Sequence, residues 1–499
     1  MPAKVRRLSQ ALLILALLCA PLQARTLYLA PEGNDSAPFA DGAVFATVFR
    51  ALDSLAAGDT LIVRKGTYRG GLIATLQGTA EKPILIRGEG RESVLDSSRN
   101  KLDALRLDHS SYVTVENMSF LHGTRAGLCL INCNHITVTG CRMGDNGKWG
   151  ILTGFVDDFR AEGNECWGSK DEHGIYHSNS GDRFVIRGNY IHDNSGNGIH
   201  INGDPEMGGD GVMNWGLVEN NIITRNGAAG GAGINMTHVH DMLVRNNLIW
   251  NNFAGGFTVY QDNGGDEQSS QRVVITGNTV WFRSNDRNVV NIAPTSSKVV
   301  VAGNILVAAY RSATLQVDSD HLSTILSDWN VHWSADTTTL VSVKDRPEKL
   351  SAWVKSTGND IHSRIADPQF VRPDSGDFNL AAASPAIDAG VPRDSLRAML
   401  VRLEGCEWLL ARLDSLPYED IRGTWRPVGL GPDAGAYEMG FSESQRFDLD
   451  GNGQIGRADS PALVRLISSD PADRRCDFNA DGRVDILDVL DFLLALNSR

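Results

Sequence analysis

The chain has no basic excess. Its 47 Lys and Arg face 60 Asp and Glu, a net charge of -13 over 499 residues, which argues against a phosphate-backbone partner and leaves uncharged, calcium-bridged or metal-assisted ligands. Long low-complexity runs are missing as well, and with 42% hydrophobic residues the fibrous and disordered classes fall away. Cysteine is scarce. Cys129, Cys133, Cys141, Cys166, Cys406 and Cys476 match no zinc-site spacing and fix no disulfide connectivity. Beyond residue 24 no apolar run is long enough to span a bilayer.

Two things are present in quantity. The N-terminus carries Lys4, Arg6 and Arg7, then the apolar run Leu8 to Leu18 and small residues up to Ala24, the pattern of a secretory signal peptide over residues 1–24. Leu18 before Cys19 is too large for a lipid-anchor signal, so the mature chain is expected to be soluble, monomeric and secreted, extracellular or periplasmic. The other abundance is glycine, 51 residues, which implies many tight turns. Their spacing decides the fold.

One phrase recurs: Val-x-x-Asn-x-Ile-x-x-Asn, a short turn, then Gly-Ile-x-apolar. Its asparagine falls at Asn164, Asn189, Asn221, Asn247, Asn278, Asn304 and Asn330, and its glycine at Gly127, Gly150, Gly174, Gly198, Gly233 and Gly256. The segments between turns are short, β-branched and alternating, as at Val113 and Val115 or Val273 and Ile275. Short strands, about three per repeat, describe a mainly β solenoid with a continuous core. The asparagines are expected to adopt the left-handed conformation at turns and to bond to their copies on the next rung.

On these repeats the chain resembles the right-handed parallel β-helix superfamily, which includes pectate, chondroitin and alginate lyases, uronate epimerases and polygalacturonases. The likeness covers roughly residues 26–440. Thr26 to Asp35, Gly58 to Tyr68 and Lys82 to Arg87 look like the usual opening of this fold, with an amphipathic helix (Phe45, Phe49, Leu52, Leu55) capping the core. Ser384 to Gly390 and Arg426 to Glu438 resemble the closing tail of secreted members, so the solenoid unit is placed at 25–440.

A second unit follows a linker at 441–447. Asp448, Asp450, Asn452, Gln454 and Asp459 occupy positions 1, 3, 5, 7 and 12 of a calcium loop, and Asp477, Asn479, Asp481, Arg483 and Asp488 repeat the pattern. Gly453 and Gly482 take the sharp-turn position, with main-chain carbonyls supplied by Gln454 and Arg483. Each loop precedes an apolar helix. The duplicated loop-helix at 448–499 is similar to an all-α dockerin domain, which implies two calcium ions and a cohesin-like protein partner. Dockerins are carried by secreted carbohydrate-active enzymes, so the resemblance also implies a polysaccharide substrate.

Alternation within the Gly-Ile-x-apolar strand sorts its side chains. Two residues after the glycine, Cys129, Leu152, Tyr176, His200, Asn235 and Thr258 point outward; four after it, Ile131, Gly154, Ser178, Asn202, Thr237 and Tyr260 do. The outward face therefore turns polar and aromatic at the third rung, which suits a sugar chain. Lys170 to His173 precede this strip, the insertion Gly203 to Asp210 follows it, and six of the 12 histidines fall between residues 173 and 240.

Lyases and C5-epimerases need a base beside a uronate carboxylate, a group that neutralises it and an acid. The strip offers His200 or Lys170 as base and Tyr176 as acid, with Ser178, Asn202, Asn235, Tyr260, His173 and His238 as substrate binders. Asp204, Asp210, His238, His240 and Asp241 are candidates for a groove metal, without diagnostic spacing. His177 falls in the inward column and reads as a core histidine. Glu162, Arg187, Glu219 and Arg245 read as a surface salt-bridge ladder. A polysaccharide lyase acting on a uronate-containing glycan is the leading expectation. The alternatives are a β-helix glycoside hydrolase, which needs two separated carboxylates, a C5-epimerase, and a non-catalytic glycan-binding or adhesive solenoid. Asp157 and Asp158 fall at a turn away from the strip and lack the flanking motifs of polygalacturonases.

Overall fold

The computed structural model describes residues 24–99, 102–282, 287–308, 312–334, 336, 340–439 and 492. Residues 1–23 of the predicted leader, the linker and the calcium loops with all their named ligands lie outside the described residues.

Each repeat contributes one short strand to each of three sheets of thirteen, twelve and twelve strands. In one turn these are Val185–Arg187 (first sheet), Tyr190–His192 (second) and Ile199–Asn202 (third); the next supplies Met213–Glu219, Ile222–Thr224 and Ala232–Thr237. The chain climbs one strand spacing per turn, about 4.8 Å. Successive strands of each sheet pair in parallel, as the third sheet does from Leu72–Ala74 to Val341–Val343. The inward residues form one continuous apolar core that runs from Leu27 to Trp353. This is the expected parallel β-helix.

The recurrent asparagines do stack. Asn221 donates its backbone N–H and its Nδ2 to Asn247 Oδ1 at 3.0 and 2.9 Å, and Asn247 does the same to Asn278 Oδ1 at 2.8 and 3.0 Å. The second amide proton of each goes to a neighbouring carbonyl, Val218 in the case of Asn247 (3.0 Å). The ladder starts at the Cys141 N–H and ends on the Ser363 hydroxyl. The left-handed residue, however, is not the asparagine but the one before it: Gly163, Gly188, Asn220, Asn246, Gly277, Gly303 and Trp329. That shift is required. The asparagine itself must turn its side chain inward to reach the next rung, while its predecessor makes the corner, and glycine does so without a Cβ clash.

The strand-opening glycines serve a different need. A Cβ on Gly198 would lie 2.4 Å from Ile223 Cγ2 and 2.8 Å from the Gly233 carbonyl, so these positions are empty because the rungs and the core close over them.

At the N-terminal end the helix Val48–Asp53 caps the core through Val48, Ala51 and Leu52, with Thr47 accepting from the Arg50 N–H. Phe49, expected on the buried face, is 65% exposed instead, because the short helix begins at Val48 and its inward stripe is Val48, Ala51 and Leu52.

Nothing in the repeat predicts the helices Arg393–Val401 and Glu407–Ser415, whose Leu396, Leu400, Leu409 and Leu413 pack on the outer face of the first sheet at Leu217, Leu243, Val274 and Val300. They change the environment of the charge ladder. Arg187 pairs with Glu162 and Glu219, and Arg245 with Glu219 at 2.6 Å, as the spacing implies. The ladder is nevertheless not a surface feature at its upper end: Glu219 is 2% exposed, and Arg245 also donates to the Pro417 carbonyl of the covering segment.

Because each amide of the asparagine ladder serves two rungs, Asn247→Ala strands the Asn221 donors and deprives the Val218 carbonyl of its amide. A loss of about 3 kcal/mol is expected from the lower urea midpoint.

Candidate functional site

The third sheet stacks Leu152, Tyr176, His200, Asn235 and Thr258 in one outward column and Gly154, Ser178, Asn202, Thr237 and Tyr260 in the next. The intervening Ile151, Ile175, Ile199, Ile234 and Phe257 are fully buried. Strand alternation thus presents the polar strip on one side and anchors it on the other.

Within the strip, hydrogen-bond donors fix the histidine tautomers. The Asn197 backbone N–H, which can only donate, points at His173 Nδ1 (3.0 Å). His173 must therefore carry its proton on Nε2, and it donates that proton to His200 Nδ1 at 3.1 Å. His200 in turn holds its own proton on Nε2, facing Thr237 Oγ1 at 3.3 Å. Neither ring nitrogen of His200 is then free, since one accepts and the other donates. Burial holds both imidazoles neutral, His173 at about 4 and His200 well below the usual histidine value, with His173 lowering the latter further.

The phenols are wired differently. Tyr176 lies between Trp149 and His200, at ring separations of 5.7 and 5.1 Å, and its oxygen accepts from Asn202 Nδ2 at 2.9 Å. The Tyr176 hydroxyl proton is left to donate elsewhere. Tyr260 likewise accepts from Asn235 Nδ2, at 3.2 Å. Burial raises both phenols above the ordinary tyrosine value, so each keeps its proton. A protonated donor beside two amides is a group that can protonate a leaving oxygen.

His173, Tyr176, His200, Asn202, Asn235 and Tyr260 are thus brought together. Other sequence candidates lie elsewhere. Ser178 is 2% exposed and gives its hydroxyl proton to the Thr153 carbonyl, so it is spent inside the rung. Lys170 is exposed in the turn before the Ile175–Ser178 strand, and its carbonyl accepts from the Ser195 hydroxyl. His238 is buried behind the strip, with Nδ1 on the Gln268 carbonyl at 3.0 Å and Nε2 on Asp262 at 2.7 Å, tying down the loop 261–270.

The five groove-metal candidates are dispersed. Asp241 is held by Arg272 at 2.9 Å and His240 by the Ser269 carbonyl at 3.0 Å, and no three His, Cys, Asp or Glu among the described residues are placed to hold a metal ion. Asp157 and Asp158 pair with Arg183 at 3.1 and 3.0 Å. His177 is in the core, 0% exposed, with Nδ1 on the Thr153 hydroxyl at 2.6 Å.

Three residues of the site escape the sequence reading, Trp149, Lys148 and Asn197, while Thr237 is placed in the outward column there without a role. Trp149 and Asn197 stand immediately before Gly150 and Gly198, as His173 does before Gly174. Extending the column analysis one residue upstream of the glycine would have exposed that third row. Lys148 rests its ammonium 5.4 Å above the Trp149 ring.

A family match and one solved structure agree with this architecture. Residues 93–208 match the family described as "Right handed beta helix region". The chain is 26% identical over 450 residues to a Bacillus subtilis (strain 168) protein named "Uncharacterized protein YwoF", covering 72% of this chain and 92% of that one. Among solved structures, pectate lyase Pel9A is similar with a TM-score of 0.51 at 16% identity, over 84% of this chain and 97% of the other. The alginate lyase from Paenibacillus sp. str. FPU-7 is 23% identical, with a TM-score of 0.42 over 50% of this chain and 89% of that one. The likeness to Pel9A is one of fold: a right-handed parallel β-helix with a pectate lyase-like structural neighbour.

Buried neutral His173 makes stability depend on pH. Its folded value of about 4 lies below the ordinary 6.5, so unfolding takes up a proton between those limits. The contribution is full above about pH 6.5 and declines as pH falls toward 4. The urea midpoint is expected to drop from pH 7 to pH 5, and to drop less in His173→Gln; equal drops in both proteins would show that the imidazole is not the cause.

Proposed function

We propose that the protein is a secreted polysaccharide-active enzyme whose substrate lies along the third-sheet groove, and that it is a lyase acting on a uronate-containing glycan. The observation that carries this reading is the Tyr176 hydroxyl, which is kept protonated and accepts from Asn202, so that its proton is free for a leaving oxygen. In the elimination a base removes the proton beside the uronate carboxylate, the C–H electron pair forms the double bond, and the C–O bond breaks. Tyr176 then protonates the departing oxygen, and solvent restores both groups.

The base in this reading is His200, within the cluster, or Lys170, from the turn that precedes the Ile175–Ser178 strand. The first has a lone pair that His173 now occupies, and the second carries an exposed ammonium that must shed its proton. A hydrolase is the second reading, favoured by the carboxylates of Glu172 and Asp204, both of which act on the Tyr176 phenol.

Incubation with alginate, pectate, chondroitin and neutral glycans separates the two. New reducing ends with ultraviolet absorbance of an unsaturated product are expected from a lyase, and reducing ends without it from a hydrolase. Tyr176→Phe should lower kcat by about 100-fold or more. Loss on Lys170→Ala alone assigns the base to Lys170, loss on His200→Ala alone assigns it to His200, and full activity in all three variants removes the site.

The C-terminal loops are proposed to hold two calcium ions and to dock on a cohesin-like partner, a reading that rests on the duplicated loop pattern in the sequence. Calcium titration of the full chain should give two ions, and Asp448→Ala with Asp477→Ala should abolish both while leaving glycan turnover in place.

A further inference from the structure

A second outward face carries a built arrangement that the groove chemistry does not use. In the second sheet Cys166 and Ile191 are buried in the core, so Trp167 and His192, one residue on, point outward. Their column also holds Trp250, Trp281 and Trp333, which places four of the 10 tryptophans on one line. Over the later rungs the chain covers that line itself: the Phe378 ring lies 5.6 Å from Trp250 and 5.8 Å from Trp281. Two rungs before Trp250 the rings are open. His192 and Trp167 are only partly buried, and Tyr190, on the same strand as His192, is 37% exposed.

The groups around these open rings are held in place. A Cβ on Gly144 would lie 2.0 Å from Trp167 Cζ2, so the indole lies over the rung before it. Tyr190 stacks on the His192 ring at 4.2 Å, which backs one face of the phenol and leaves the other to solvent. Arg142 donates to Glu165 at 2.6 Å, with its guanidinium 4.6 Å from the Trp167 ring. Arg225 holds both Asp193 oxygens at 2.7 Å. His192 joins the two ion pairs, with Nδ1 2.6 Å from Asp193 and Nε2 3.4 Å from Glu165. All four charged groups stay in part exposed.

This surface selects its ligand by exclusion. Two guanidiniums and two carboxylates cancel, so an ionic ligand would have to break one of the pairs to bind. A purely apolar partner would strip water from four ionised groups and replace none of their hydrogen bonds. A sugar ring meets both demands, because its C–H face is apolar and its hydroxyls lie at the rim. We propose that the second sheet carries a separate, non-catalytic site for a chain of uncharged sugars. One ring lies on the open face of Tyr190, and its hydroxyls bond to Asp193, Arg225 and Glu165. The choice of a glycan rests on the polysaccharide-active reading above, but the site does not depend on elimination. It would hold the protein on a neutral polymer while the groove works on an acidic one.

The test is calorimetric titration of the full chain with cellohexaose, mannohexaose and xylohexaose. At least one of these neutral chains should bind, and Tyr190→Ala should weaken it about tenfold, while Tyr190→Phe, which keeps the ring, retains it. Tyr176→Phe should leave this binding unchanged, and Tyr190→Ala should leave turnover of the glycan panel unchanged. The inference is overturned if no neutral hexasaccharide binds, if binding survives Tyr190→Ala, or if Tyr176→Phe removes it. It also falls if the chain sediments as a dimer that Tyr190→Ala dissociates, since the face is then an interface between copies. Elimination is scored separately on the glycan panel, so loss of the lyase reading and loss of this site are read from different measurements.

Discussion

Everything in this molecule depends on rung-to-rung register, and the buried asparagine ladder is what fixes it. A strand slipped by one residue would turn every inward side chain outward, so a solenoid whose strands are as short as Val185–Arg187 needs a register lock stronger than apolar packing alone. An amide supplies one, because its carbonyl oxygen takes two donors from the rung before and its two protons are shared between the next rung and a main-chain carbonyl. A displaced rung would leave these groups buried and unpaired, at a cost of several kcal/mol.

The same lock makes a site out of residues that are 24 to 37 positions apart in the chain. His173, His200 and Thr237 come from three successive turns, yet the proton positions on both rings follow from a single backbone N–H at Asn197. That N–H lies in the turn that leads into the strand Ile199–Asn202. Register therefore determines chemistry here: it decides which nitrogen carries a proton, and so which groups are free to exchange one. Tyr176 is free in this sense; His200 is engaged at both ends.

Much of the fold was legible because spacing alone encodes it. Recurring Asn and Gly positions announced the coil, and period-two alternation assigned Ile151, Ile175 and Ile199 inward and Tyr176 and His200 outward, as the register bears out. The limits lie where contacts cross between distant parts of the chain. The burial of Glu219 comes from helices almost two hundred residues later, and no local pattern could foretell it. The exposure of Phe49 hinged on where a six-residue helix begins. Trp149 and Lys148 were missed because the columns were counted from the glycine onward, although the strand Trp149–Gly154 begins one residue before it. Ser178 had the right parity but found a carbonyl nearer than the groove.

The covering segments make the three faces of the solenoid unequal. Helices 393–415 occupy the first sheet over the later rungs, and Phe370, Phe378 and Leu380 lie against Trp281, Val307 and Val331 on the second. Over those later rungs two of the three ribbed faces are covered, while the third carries His200, Asn202 and Tyr260 only partly buried. The C-terminal stretch that closes the solenoid thus also decides which of its ribs stay open, by packing on the first and second sheets and sparing the third.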